Sequence, residues 1–357
     1  MSKNKSLTKA IEGAVQDSFD LDKFMESKNL TSTPIKMKDE KWIPLSEAFR
    51  ECTSIPGIPM GHITLLRGHS DTGKTTALLE AAIAAQSMGI LPVFIITEMK
   101  WSWDHAIMMG LKVQEIANED GEIVNYKGNF IYVDREKLNT IEDVASFIAD
   151  LIDEQKNGRL PCDLLFLWDS VGSVPCRLSV ESNKNNNEWN AGAMSQQFGN
   201  FINQKIVLSR KQSQKYTNTL VAVNKIWVRK PENVMGQPKM ANKAGNTMYS
   251  DASLVITFGN VSTSGTQKIK ATKKGKDVEF AKRTKISVDK NHINGATSVG
   301  KVLATSHGFV IDDKKHLDEY KKQHSNEWLR ILQTDDFDIV EEEEDSNDYF
   351  NSSESDD

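Results

Sequence analysis

The segment Gly68-His69-Ser70-Asp71-Thr72-Gly73-Lys74-Thr75 constrains this chain more than any other, because it fits G-x-x-x-x-G-K-[ST] without a mismatch. Such a loop works only between a strand and a helix. Its glycines let the backbone wrap a phosphate, and the helix N-terminus behind it offers unpaired N–H groups and a partial positive charge. Both flanks are present: Ile63–Arg67 reads as a strand, and Thr75–Met88 is rich in helix formers and ends at Gly89. The expected contacts to a nucleotide run from Gly68 to Thr76. Lys74 is expected to reach the β- and γ-phosphates, and the Thr75 hydroxyl to ligate Mg²⁺.

The rest of the chain repeats the strand–helix alternation. Leu91–Thr97, Leu164–Trp168, Leu220–Val223 and Leu254–Phe258 are short apolar runs, as strands buried on both faces require. Residues 140–155 read as an amphipathic helix. Residues 193–215 read as another, with Met194, Phe198, Phe201, Ile202 and Ile206 on one face. The Asn-rich Val174–Trp189 reads as irregular, and residues 268–289 as a pair of strands. Strands alternating with helices predict an α/β fold with a mainly parallel, doubly wound sheet, whose ligands bind beyond the carboxyl ends of the strands. No apolar run reaches the length of a membrane helix, and the N-terminus lacks the apolar region of a signal peptide. Cys52, Cys162 and Cys176 have no metal-ligand spacing and read as free thiols in a reducing compartment.

Two carboxylates fall at predicted strand ends. Asp169 follows Leu164–Trp168 and suits the shell of a metal ion, or else caps a turn with Ser170. Glu98 follows Leu91–Thr97, on the same sheet edge, and suits activation of a water that attacks the γ-phosphate, or else is a surface residue.

Charge is divided unevenly. The chain carries −6, but residues 335–357 hold twelve acidic residues and no Lys or Arg, which leaves +6 on residues 1–334. This tail cannot bury a core and is expected to be disordered, either as a solubilising device or as a polyanion competing with nucleic acid for the basic body. Lys225–Lys243 carries Lys225, Arg229, Lys230, Lys239 and Lys243 against Glu232 alone, together with Trp227. A basic loop with apolar side chains suits single-stranded DNA, or else is a solvated loop with incidental lysines. Residues 268–285 hold eight Lys/Arg against two acids, either a path for duplex DNA or a solvated ribbon.

Six blocks in order resemble the RecA-type recombinases: SIPGIPMGHITLLRGHSDTGKTT, FIITEMKWSWD, LLFLWDSVGSVPC, AMSQQ, VAVNKIW and VMGQPKMANKAGNTMYSDAS. The acidic tail and short N-terminal segment look most like the UvsX-type recombinases of tailed phages. The resemblance covers about residues 45–310 and implies an ATP- and Mg²⁺-dependent DNA-stimulated ATPase. Such a protein forms a helical filament on single-stranded DNA and exchanges strands with a homologous duplex. It implies catalytic roles for Glu98, Lys74, Lys225 and Lys290, with Lys225 where the family has a γ-phosphate-sensing Gln and Lys290 reaching a neighbouring subunit's ATP. It places His105 at the adenine, where Trp101 or Trp103 stacks instead or simply packs. It assigns Thr75 and Asp169 to the metal, and Arg177, Lys184, Arg229, Lys230, Met235, Lys239, Lys243, Gly245 and Asn246 to DNA. The implied organisation is an oligomerisation segment at 1–45, docking through Phe19, Phe24 and Met25 or packing within the chain. An ATPase core at 46–312, a helical extension at 313–334 and the tail at 335–357 follow. Tyr349 and Phe350 offer the tail a handle for a loader or single-strand-binding protein. The implied location is the cytoplasm of a phage-infected or bacterial cell, away from membranes. The alternatives are a ring-shaped DnaB-type helicase, whose strand-then-Glu-Met resembles ITEMK, and a non-catalytic nucleotide-binding mediator.

Overall fold

The side chains of the central strands alternate between two separate cores, and that alternation sets the architecture. The computed structural model of the chain describes residues 20–28, 35–229, 239–242, 246–260, 265–273 and 276–324. It divides into two units, Met1–Lys38 and Asp39–Asp357. In the first, helix α1 (Leu21–Ser27) starts at Asp20, whose carboxylate accepts from the Lys23 N–H at 3.1 Å. The second opens with β1 (Trp42–Pro44), α2 (Glu47–Thr53) and β2 (Gly57–Pro59), and β1 pairs antiparallel with β2. Residues 39–45 therefore join the larger unit, whereas the sequence division places them with the N-terminal segment.

Then come β3 (Ile63–Gly68), α3 (Lys74–Ser87), β4 (Leu91–Ile96), α4 (Trp103–Met108), the hairpin β5 (Gln114–Ala117) and β6 (Ile123–Lys127), and β7 (Ile131–Asp134). They are followed by α5 (Ile141–Lys156), β8 (Leu164–Asp169), α6 (Arg177–Glu181), α7 (Asn187–Met194), a π-helical segment Ser195–Ile202 and α8 (Asn203–Leu208). The last part holds β9 (Asn218–Arg229), β10 (Lys239–Asn242), α9 (Thr247–Asp251), β11 (Leu254–Phe258), β12 (Thr266–Lys273), β13 (Lys276–Asn291), β14 (Ser298–Thr305), β15 (Gly308–Ile311) and α10 (Lys314–Gln323).

Among the described residues the main sheet runs β15-β14-β13-β11-β3-β9-β8-β4-β7, with β10 beside β9 and β12 beside β13. The six strands from β11 to β7 are parallel, and β13, β14 and β15 extend the sheet antiparallel. The fold is mixed α/β around a large, mostly parallel central sheet. Phe94, Ile96, Leu165, Leu167, Val221 and Val223 point into one core, which α2 and α3 cover. Their neighbours Val93, Ile95, Leu164, Phe166, Leu220 and Ala222 point into the other, covered by α5 and the 194–206 helical stretch. The period of two along a strand explains why these runs carry no polar residue.

Two readings change. Phe201 lies 46% exposed, while Met194, Phe198, Ile202 and Ile206 are buried. The π-helical turn is wider than an α-turn, so residues four apart stay on one face and Phe201 turns off it. Val174–Trp189 is not irregular throughout. Asn190 Oδ1 accepts from the Cys176 N–H at 2.8 Å and lies 3.1 Å from the Ser179 hydroxyl, which fixes the short helix α6 against α7. Phe19, Lys230, Met235, Lys243, Gly245 and the tail 335–357 lie outside the described residues. No helix among the described residues is long and apolar enough to cross a membrane. The three cysteines are free thiols.

Candidate functional site

Four neighbouring strands deliver the candidate residues to one edge of the sheet. The register sets Gly68 beside Lys225 on one side and Phe258 on the other, Ile96 beside Asp169, and Asp169 beside Val223. Glycine at 68 is required by packing: a Cβ there would lie 2.2 Å from the Phe258 carbonyl oxygen. Glycine at 73, the N-cap of α3, takes φ +95°, and a Cβ would press on the Phe309 ring at 3.1 Å. The loop between them curls back on itself. The Thr72 hydroxyl donates to the His69 carbonyl at 2.9 Å, and the Lys74 ammonium donates to the same carbonyl and lies 3.4 Å from Thr72 Oγ1.

Lys74 is buried at the first turn of α3, and that burial pushes its pKa down to about 8, aided by Lys225 and resisted by Asp169 and Glu98. The Thr75 hydroxyl donates to Asp169 Oδ2 at 3.0 Å. Burial raises the Asp169 carboxyl above the usual range. The Thr75 bond and the two lysines oppose that rise, and Glu98 adds to it. Glu98 is taken on both oxygens: Oε1 by the Lys225 ammonium at 2.6 Å and Oε2 by the Ser170 hydroxyl at 3.2 Å. Burial pulls the Glu98 carboxyl upward, but Lys225, Ser170 and the exposed Lys100 at 3.7 Å outweigh it and hold the pKa below normal.

A polar knot that sequence reasoning missed sets the spacing of the two acids. Thr97 Oγ1 donates to the Ser170 carbonyl at 3.0 Å and accepts from the Trp168 indole at 3.0 Å and from the Ser173 hydroxyl at 2.6 Å. The Thr97 and Glu98 N–H groups both donate to the Asp169 carbonyl, at 2.8 and 3.1 Å. In the sequence Thr97 is visible only as the polar end of an apolar run. Its partners come from β8 and the turn after it, which the sequence does not put in register.

Lys74, Thr75, Glu98, Asp169 and Lys225 line a cavity of about 470 Å³. Its far wall is Ala281, Lys282, Thr305 and Ser306 of the antiparallel strands and the turn after β14, also not anticipated. His105 and Trp101 line its side. Burial, and then His307, lower the His105 pKa. Trp101 has a buried indole N–H with no partner and packs against Phe94 at 5.0 Å, while Trp103 stacks on Tyr126 at 4.5 Å. Trp103 therefore packs, and Trp101 both packs and fronts the cavity.

The site fits a nucleoside triphosphate with Mg²⁺. Its ammonium is buried at the first turn of a helix, and the Thr75–Asp169 pair offers hard oxygen donors. Among the described residues no group of three or more His, Cys, Asp or Glu is placed to hold a metal, and Mg²⁺ commonly needs only one or two protein oxygens beside phosphate.

Other candidates lie elsewhere. Lys290 is not part of the cavity wall. Its ammonium caps the Tyr249 and Ser250 carbonyls at 3.1 and 2.7 Å, and burial, opposed by Asp251, lowers its pKa. Arg177 pairs with Asp143 at 3.2 Å, and Lys184 is exposed beside a second cavity of about 410 Å³. Arg229 and Lys239 are directly opposite on the β9–β10 ribbon, and Asn246 is exposed before α9. Compared with protein-family models and with curated proteins, the chain returned no match.

Proposed function

We propose that this chain is an ATP-dependent homologous-recombination protein of the RecA type, most like the UvsX-type recombinases in plan. It polymerises on single-stranded DNA and pairs it with a homologous duplex. The observation that carries this is the gathering of Lys74, the Thr75–Asp169 pair and the Glu98–Lys225 pair round one cavity, at the foot of the β9–β10 ribbon.

Thr75 and Asp169 would hold Mg²⁺, which when bound spreads the charge of the triphosphate. Lys74 binds and orients the β- and γ-phosphates. Glu98 accepts the proton of the attacking water, and Trp101 with the β13–β14 wall excludes bulk solvent. The basic ribbon supplies the DNA contact. ATP favours the DNA-gripping form only if it binds that form more tightly.

The chain is expected to hydrolyse ATP faster with single-stranded DNA, and to appear as helical filaments by negative-stain electron microscopy. Lys74→Ala should lose nucleotide-dependent DNA binding, and its melting temperature reports separately on the bonds the ammonium makes to His69 and Thr72. Closed six-fold rings would favour the helicase, and ATP binding without turnover the mediator. Filaments unchanged in Lys74→Ala would overturn the assignment.

A further inference from the structure

The Lys225 ammonium has two anionic positions within its reach. One is Glu98, 2.6 Å away. The other would be the terminal phosphate of a nucleotide held in the cavity that Lys225 lines. It cannot serve both at full strength. While it sits on Glu98, both oxygens of that carboxylate are occupied, one by the Lys225 ammonium and one by the Ser170 hydroxyl, and neither is open to a water.

Lys225 is also placed where a distant event can move it. It lies beside Gly68 of the glycine-rich loop. The next residue, Ile226, begins the ribbon in which β9 pairs with β10, from Ile226↔Asn242 to Arg229↔Lys239. That ribbon brackets the basic segment assigned above to DNA. One continuous strand therefore joins the candidate DNA contact to the cation that occupies the candidate base.

We infer that Lys225 latches Glu98. Without DNA the ammonium stays on the carboxylate. DNA on the ribbon shifts β9, the ammonium transfers to the γ-phosphate, and Glu98 is freed. This rests on the ATPase reading above and gives that site its regulation. In the freed state the water oxygen bonds to the γ-phosphorus, the bond to the β–γ bridging oxygen breaks, ADP leaves, and the water proton passes to Glu98. DNA must bind the freed arrangement more tightly than the latched one, or it shifts nothing.

The test uses full-length wild type, Lys225→Gln and Lys225→Arg, with kcat and KM for ATP measured with and without single-stranded DNA. Removing the cation should raise the DNA-free kcat about tenfold with KM changed by less than about threefold, and cut stimulation by DNA to below about twofold. Lys225→Arg should restore the stimulation. Melting temperatures and binding of a non-hydrolysable ATP analogue check that the variants are folded and loaded. Lys225→Gln retaining wild-type stimulation overturns the latch. So does a folded, ATP-binding Lys225→Gln that is inactive with and without DNA, since Lys225 would then act on phosphate alone. Wild type lacking DNA-stimulated turnover removes the ATPase reading itself, a result distinct from either.

Discussion

His62 is buried between an acid and a hydroxyl, and that position makes stability depend on pH. Nε2 lies 3.2 Å from Glu40 Oε2 and Nδ1 lies 2.9 Å from Ser253 Oγ. An ionised Glu40 only accepts, so Nε2 carries the proton and Nδ1 accepts from Ser253, which a neutral imidazole satisfies. Burial lowers the His62 pKa to about 4. The unfolded chain takes up this proton near pH 6.5 and the folded chain does not, so stability falls as pH drops from 6.5 towards 4 and levels off below. The loss has an upper bound of about 3 kcal/mol, trimmed because Glu40 favours the imidazolium. Denaturant midpoints at about pH 7, 5.5 and 4 should show this loss in wild type and a smaller one in His62→Gln. Equal losses in both would place the acid sensitivity elsewhere. Gly68 makes the complementary point. The Phe258 carbonyl fills the space a side chain would need, so Gly68 answers to strand packing as much as to a ligand.

Among the elements, the β9–β10 ribbon yields the sharpest expectation. Arg229 and Lys239 stand directly opposite one another in the strand register, and both belong to the basic stretch of the sequence. Replacing both with Ala should weaken single-strand binding and lower the salt slope by about 0.7 for each phosphate that is no longer neutralised. An unaltered slope across a salt titration would mean that neither touches phosphate. The elements also differ in how far the sequence announces them. β4, β8 and β11 are buried on both faces, so their apolar runs are plain. The β5–β6 hairpin leaves Ile123 and Val124 exposed at 47% and 61%, and its pattern of burial has no period to detect. β9 reads in the sequence as Leu220–Val223 but runs to Arg229, because its distal half is sustained by β10 rather than by the core. At the site, Lys74, Thr75, Glu98 and Asp169 are legible because each follows a recognisable strand or motif. The Glu98–Lys225 pair and the Thr97 knot are not, since they arise from strand register between segments far apart in the chain.

At the scale of the whole molecule, charge is the organising quantity. Deleting residues 335–357 removes twelve negative charges and leaves a body of +6. If the tail competes with DNA for the basic surface, the truncated protein should bind DNA more tightly, most visibly at low salt, where screening is weak. Duplex binding should gain most if the tail covers the basic residues of β12 and β13. Affinities of both forms across a salt series check this, and coincident curves would leave the tail as a solubility device or a partner handle. The same sheet that carries these surfaces also carries the cavity. The ends of its parallel strands supply Glu98, Asp169 and Lys225, and its antiparallel extension the opposite wall.

The position of β3 has a consequence for synthesis. Its partners on either side are β9 and β11, Asn218–Arg229 and Leu254–Phe258, both far downstream. At about 5–20 residues per second, a chain leaving the ribosome exposes this apolar strand for about ten seconds or more before either partner emerges. Until β11 emerges, Gly68 also lacks the Phe258 carbonyl that it packs under. The glycine-rich loop is thus among the first functional segments to be translated and among the last to be assembled. A newborn chain therefore carries this apolar strand uncovered, whereas a finished one buries it completely.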